Sequence, residues 1–131
     1  MSFSWAPFGP SRDDDPAAPA AGGLSRRPAR GLAVLTCMDC RVDPLRALGL
    51  SLGDAVVLRN AGAQASDDVL RSLRVARDVL GVRMVDVVAH TDCAAHEGDD
   101  AAAEADAHRT AARIHAALPE LATRASIIDV R

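Results

Sequence analysis

The sequence predicts an α/β domain in which a parallel sheet of about four strands is covered by helices on both faces, an αβα arrangement of three layers. Three observations lead there. The segments GLAVLT (31–36), DAVVLR (54–59) and MVDVVA (84–89) are nearly continuous apolar runs, the pattern of strands buried on both faces. Stretches with helical caps and 3.6-residue spacing separate them. A chain of 131 residues, 49% hydrophobic, can bury one core but not two.

Each element has its own reason. The first strand, Gly31 to Thr36, runs into Cys37. Asp43-Pro44 then opens a short helix to Leu48, with Asp as N-cap and Pro in the first turn. The second strand, Asp54 to Arg59, is followed by Ser66-Asp67-Asp68, a cap with acids in the first helical turn. In that helix Val69, Leu73, Ala76 and Leu80 form one apolar stripe, and Gly81 closes it. The third strand, Met84 to Ala89, ends at His90. An Ala-rich helix from about Asp100 to Leu118 follows, and a last strand is expected at Ile127 to Val130. Residues 1–30 hold five prolines, an Asp13-Asp14-Asp15 run and no period. They read as a disordered or loosely docked arm, with the domain proper at 31–131.

Composition excludes several functions. Fifteen basic residues against eighteen acidic give a net charge of −3, so no basic footprint for nucleic acid exists. No apolar run is long enough to cross a bilayer. Every basic residue is Arg, which removes Schiff-base and P-loop lysine chemistry. The aromatic residues are Phe3, Trp5 and Phe8, so the domain has no tyrosine to act as acid or base. Three cysteines, Cys37, Cys40 and Cys93, do not make a disulfide framework, and a cytoplasmic setting is expected.

Two clusters carry the chemistry: Cys37-Met38-Asp39-Cys40-Arg41 after the first strand, and His90-Thr91-Asp92-Cys93 after the third. If those strands are neighbours, Cys37, His90 and Cys93 converge. Two thiolates and an imidazole suit Zn2+, and three protein ligands leave one position open, as catalytic zinc sites do. Two other readings compete. Cys37 and Cys40 with His90 and Cys93 would make a closed four-ligand Cys3His site, a zinc-stabilised binding module without turnover. The C-x-x-C could also be a redox pair, although no helix opens at it.

C-x-D-x-R followed by H-x-x-C, each after a strand, resembles the β-class carbonic anhydrases. The likeness continues through Gly53-Asp54, Arg59-Asn60-Ala61-Gly62 and Asp67-Asp68 with Arg71-Ser72-Leu73, and covers nearly all of 31–93. It implies a parallel-sheet αβα domain of that type. It also implies zinc held by Cys37, His90 and Cys93, with Asp39 and Arg41 as the catalytic pair. In that family the Asp orients a zinc-bound hydroxide that attacks CO2, or itself binds the metal at rest, and the Arg holds the Asp away. The expected activity is therefore reversible hydration of CO2 to bicarbonate and a proton, carbonate dehydratase chemistry. The alternatives are hydrolysis of CS2 or COS at the same site, or the silent closed module. Two thiolates cancel the charge of Zn2+, so activity is expected to climb at alkaline pH. Asn60, Ala61 and Gly62 follow the second strand and are expected to form the pocket floor, Gly62 permitting close approach. The likeness also implies a homodimer or homotetramer. Cys40, Ala63 and Ala94 stand where relatives commonly carry Ser or Ala, Gly and Gly. His96, His108 and His115 are candidate proton shuttles by residue type alone.

Overall fold

The computed structural model describes residues 22–131. Its elements are β1 (Leu32–Cys37), α1 (Pro44–Ala47), β2 (Ala55–Asn60), α2 (Asp67–Asp78), β3 (Met84–His90), a 3-10 turn (Ala94–His96), α3 (Asp100–Ala117) and β4 (Ala122–Ile128). All four strands are parallel, in the order β2-β1-β3-β4. The expected α/β architecture is therefore present.

The topology follows from the handedness of crossovers. The chain leaves β1 in one direction to reach β2, then returns across β1 to β3 and on to β4. Right-handed connections must then place α1 on one face and α2 and α3 on the other. Ala33, Leu35, Val85 and Val87 pack against Val69, Leu70 and Leu73 of α2 and Ala107, Ala111 and Ile114 of α3. On the opposite face Leu32, Val34 and Val88 pack under Leu48 and Leu50, next to α1. Leu35, Leu73 and Ile114 are fully buried, and each contributes about 1.5–3 kcal/mol through removal from water.

The N-caps of α1 and α2 are those the sequence implies. Ser66 Oγ accepts from Val69 N–H at 3.3 Å. Asp43 caps α1 with Pro44 in its first turn, and Asp99 accepts from Ala102 N–H at 3.0 Å to start α3.

The last strand is corrected. It runs from Ala122, five residues before the expected Ile127, and ends at Ile128. Thr123, Arg124 and Ser126 break the apolar run, because β4 is an edge strand whose polar residues meet solvent or Asp86. Asp86, the one charged residue of the run MVDVVA, is buried on β3. Arg124 pairs with it at 3.1 Å and Ser126 Oγ–H donates to it at 3.1 Å.

The reading of 1–30 as an arm falls, for 1–21, outside the described residues. Ala29 and Arg30, in the turn before β1, donate to the carbonyls of Gly53 and Asp54 at 2.8 and 3.0 Å, so 29–30 are tied to the segment that leads into β2. Among the described residues no helix is long and apolar enough to cross a membrane.

Candidate metal centre

The order β2-β1-β3-β4 makes the carboxyl ends of β1 and β3 the point where connections depart in opposite directions, the usual position for a ligand in a parallel sheet. Cys37 ends β1, His90 ends β3, and Cys93 follows after a two-residue turn. That turn contains Asp92 at φ +54°, a left-handed conformation Asp tolerates better than most residues.

The three side chains come together and are buried. Their donor atoms all lie within 4.8 Å of one another, in a group that could hold a metal ion. Cys37 Sγ is 4.0 Å from Cys93 Sγ. His90 Nδ1–H donates to Thr91 O at 2.7 Å, which turns Nε2 toward the sulfurs. His90 Nε2 is the one buried side-chain nitrogen or oxygen, among the described residues, without a hydrogen-bond partner. An unpartnered buried nitrogen is costly unless something fills its lone pair. Two sulfurs and an imidazole nitrogen, soft and borderline donors, fit zinc. Cys40 is exposed and stands outside the group, so among the described residues the structure brings together one cysteine of the C-x-x-C with His90 and Cys93, not both.

Asp39 and Arg41 lie beside the donor set. Asp39 Oδ2 is 3.8 Å from His90 Nε2. Arg41 grips the carboxylate with two parallel bonds, Nε to Oδ1 at 3.0 Å and Nη2 to Oδ2 at 2.8 Å, and its own N–H donates to Oδ1 at 2.8 Å. These hydrogen bonds hold the Asp39 carboxyl far below the usual carboxylate range and push Arg41 up. Arg41 is itself anchored: Nη1 donates to Asp92 Oδ2 at 3.2 Å and Nη2 to Asp92 O at 2.9 Å. Arg59 fastens the loop, donating to the carbonyls of Cys37 (2.9 Å), Asp39 (2.8 Å) and Val42 (3.1 Å).

The two thiols differ. Burial works to raise Cys37, but the hydrogen bonds it receives, that of Gly62 N–H foremost, outweigh it and the thiol is lowered. Burial and the adjacent Cys37 push Cys93 up.

The loop after β2 is divided. Gly62 N–H donates to Cys37 Sγ at 3.4 Å, and Gly62, with Ala63, Ala89, His96 and Ala103, lines the narrow space around the donors. Asn60 is turned into its own loop: Gln64 N–H donates to Oδ1 at 2.7 Å, and Nδ2–H donates to Gln64 O at 2.8 Å. Ala61 is exposed and does not line that space. Of the histidines named by type, His115 Nδ1–H donates to Leu121 O at 2.9 Å and His108 is exposed. His96 touches Cys93 Sγ through Nδ1 at 3.3 Å, a contact that sequence reasoning did not pick out. The spacing Cys93-x-x-His96 was the available signal.

A carbonic anhydrase family model matches residues 32–127. Beta-carbonic anhydrase 1 of Mycobacterium tuberculosis is 44% identical over 72 residues, 55% of this chain and 44% of that protein. A carbon disulfide hydrolase of Acidianus sp. is 45% identical over 64 residues, 49% of this chain and 31% of that protein. The chain thus spans less than half the length of these curated relatives. Among solved structures, a carbonic anhydrase from Streptococcus mutans superposes with a TM-score of 0.69 at 30% identity, over 85% of this chain and 82% of that one. With the matched motifs converging on one buried Cys-His-Cys group, the chain belongs to the β-class carbonic anhydrase family.

Proposed function

We propose that this chain holds one Zn2+ at Cys37, His90 and Cys93 and catalyses the reversible hydration of CO2 to bicarbonate and a proton. The observation that carries the reading is the buried donor group with its unpartnered His90 Nε2, flanked by an Arg-held carboxylate. Zinc bound there would supply the Lewis acidity that makes water a nucleophile, at more alkaline pH than in carbonic anhydrases whose ligands are three histidines, because two thiolates cancel its charge.

The chain's own residues do the rest. Asp39, ionised across the working range, is an acceptor only; it orients an O–H donor beside the donor set and cannot store the released proton. Arg41, fixed on Asp92, keeps Asp39 turned so that its oxygens stay off the donors. The proton therefore leaves to solvent or buffer. Gly62 N–H on Cys37 Sγ holds that sulfur in place.

A second reading, hydrolysis of CS2 or COS at the same centre, is favoured by the 45% identity to a carbon disulfide hydrolase over 64 residues. Stopped-flow CO2 hydration and CS2-dependent sulfide release, measured on one preparation of known zinc content, separate the two. The proposal expects hydration well above the buffer rate and little sulfide; sulfide release without CO2 hydration overturns it. We further propose a homodimer or homotetramer, supported by the exposure of Val75 on α2 and of Val79 just beyond its end. A cytoplasmic setting is supported by three cysteines that form no disulfide.

A further inference from the structure

Each donor of the metal centre has a partner outside the donor set. Thr91 O accepts from His90, Gly62 N–H donates to Cys37, and His96 Nδ1 lies 3.3 Å from Cys93 Sγ. The third contact differs from the others: it comes from a side chain, and that side chain is anchored in turn. His96 Nε2 is 2.9 Å from Asp106 Oδ2 on α3. Gln64 Nε2–H donates to the same oxygen at 2.6 Å and to Gly62 O at 2.9 Å, so its amide can face only one way. Asp106 Oδ2 is therefore an acceptor, and His96 Nε2–H donates to it; a thiolate at Cys93 is an acceptor as well, so toward Sγ the donor is His96 Nδ1–H, and the ring bridges sulfur and carboxylate by donating from both nitrogens. Burial alone would raise the Asp106 carboxyl, but hydrogen bonds from His96 and Gln64 hold it below its usual range.

Space is made for this brace. A Cβ at Gly62 would come within 3.0 Å of Ala95 Cβ and 3.3 Å of His96 Cε1. The 3-10 turn does not need the brace, since backbone bonds from His96, Glu97 and Gly98 close it. What the brace adds is a second point of attachment for one sulfur, carried from α3 and the loop after β2.

We propose that His96, held by Asp106 and Gln64, is a positioning residue for Cys93: it keeps Sγ in the donor set and slows the loss of metal. This rests on the reading of Cys37, His90 and Cys93 as the metal-holding group. Partners behind metal ligands act by fixing ligand orientation, and losing one typically weakens metal binding by about 10- to 100-fold.

The test follows Zn2+ release to excess EDTA from the full chain, in wild type, His96→Ala, His96→Asn, Asp106→Ala and the double alanine variant. His96→Ala is expected to release zinc about 10-fold faster. His96→Asn, whose amide nitrogen can stand where Nδ1 stands, restores slow release. Asp106→Ala also accelerates release, and the double variant is no faster than His96→Ala alone. In Co2+-loaded protein, the thiolate-to-cobalt absorption shifts in His96→Ala and stays in place in His96→Asn, a change that general loosening of the fold would not sort in this way. Release from His96→Ala at the wild-type rate overturns the inference, as do additive effects of the two single variants. Should His96→Ala fail to fold by circular dichroism, Asp106→Ala decides, because it touches neither sulfur nor metal: unchanged release from it is fatal to the idea. Wild-type protein that does not retain one Zn2+ per chain fails the underlying metal reading instead, before any variant is compared.

Discussion

Asp39 has two cations to choose between when a metal is present, and its geometry favours the guanidinium. Three hydrogen bonds from Arg41 of 2.8 to 3.0 Å hold it, while 3.8 Å separates it from His90 Nε2. Asp39→Ala should therefore leave zinc content unchanged and lower CO2 hydration about 100-fold, the scale on which a misplaced reacting group costs rate; loss of zinc with loss of rate would show that the carboxylate is needed to build the centre. Gly62 is constrained twice, by φ +78° and by the close approach of Ala95. Gly62→Ala is expected to cost about 1–3 kcal/mol in urea unfolding, and to loosen the N–H that Cys37 receives. The candidate donors were legible as residues because few side chains bind metals, Cys37 and His90 each close an apolar run, and Cys93 stands three positions beyond His90. Asp39 and Arg41 were legible through the family pattern alone. The brace of His96, Asp106 and Gln64 was not, since its three members are separated by up to 42 positions and meet only through packing.

At the scale of elements, periodicity served where burial was one-sided or complete. β1 is buried throughout and α2 buries Val69, Leu70, Leu73 and Ala76 on one face, so each carries an unambiguous pattern. β4 carries a mixed one, because it is an edge strand that also supplies Arg124 and Ser126 to Asp86. The start of α3 does more than begin a helix. Asp100 accepts from Asp92 N–H at 2.9 Å and from Arg131 Nη1 at 2.6 Å, tying the turn that carries Cys93 to the helix and to the chain beyond β4. The Arg131 hydrogen bond, then that of Asp92 N–H, lower the Asp100 carboxyl. A carboxyl lowered in the folded state binds its proton more weakly there than in the unfolded chain. Its contribution is thus full above the unfolded value of about 4 and is lost as pH falls through the folded one. Urea midpoints measured down this range should fall less steeply for Asp100→Asn than for wild type; parallel curves would remove Asp100 from the acid response.

For the whole molecule, the strand order does the assembling. Placing β1 between β2 and β3 brings Cys37 and Cys93, 56 positions apart, to one end of the sheet, where the crossovers depart in opposite directions. The alternation of strands and helices made this architecture readable, while the choice between three and four metal donors was not, because Cys37-x-x-Cys40 is compatible with either. In the fold Cys40 is exposed and stands apart from the buried group, which favours three. X-ray absorption at the zinc edge tests that choice most directly. Two sulfur scatterers per zinc are predicted in wild type, with the count unchanged in Cys40→Ser. Three sulfurs in wild type, falling to two in Cys40→Ser, would contradict the three-residue centre on which the proposed chemistry stands.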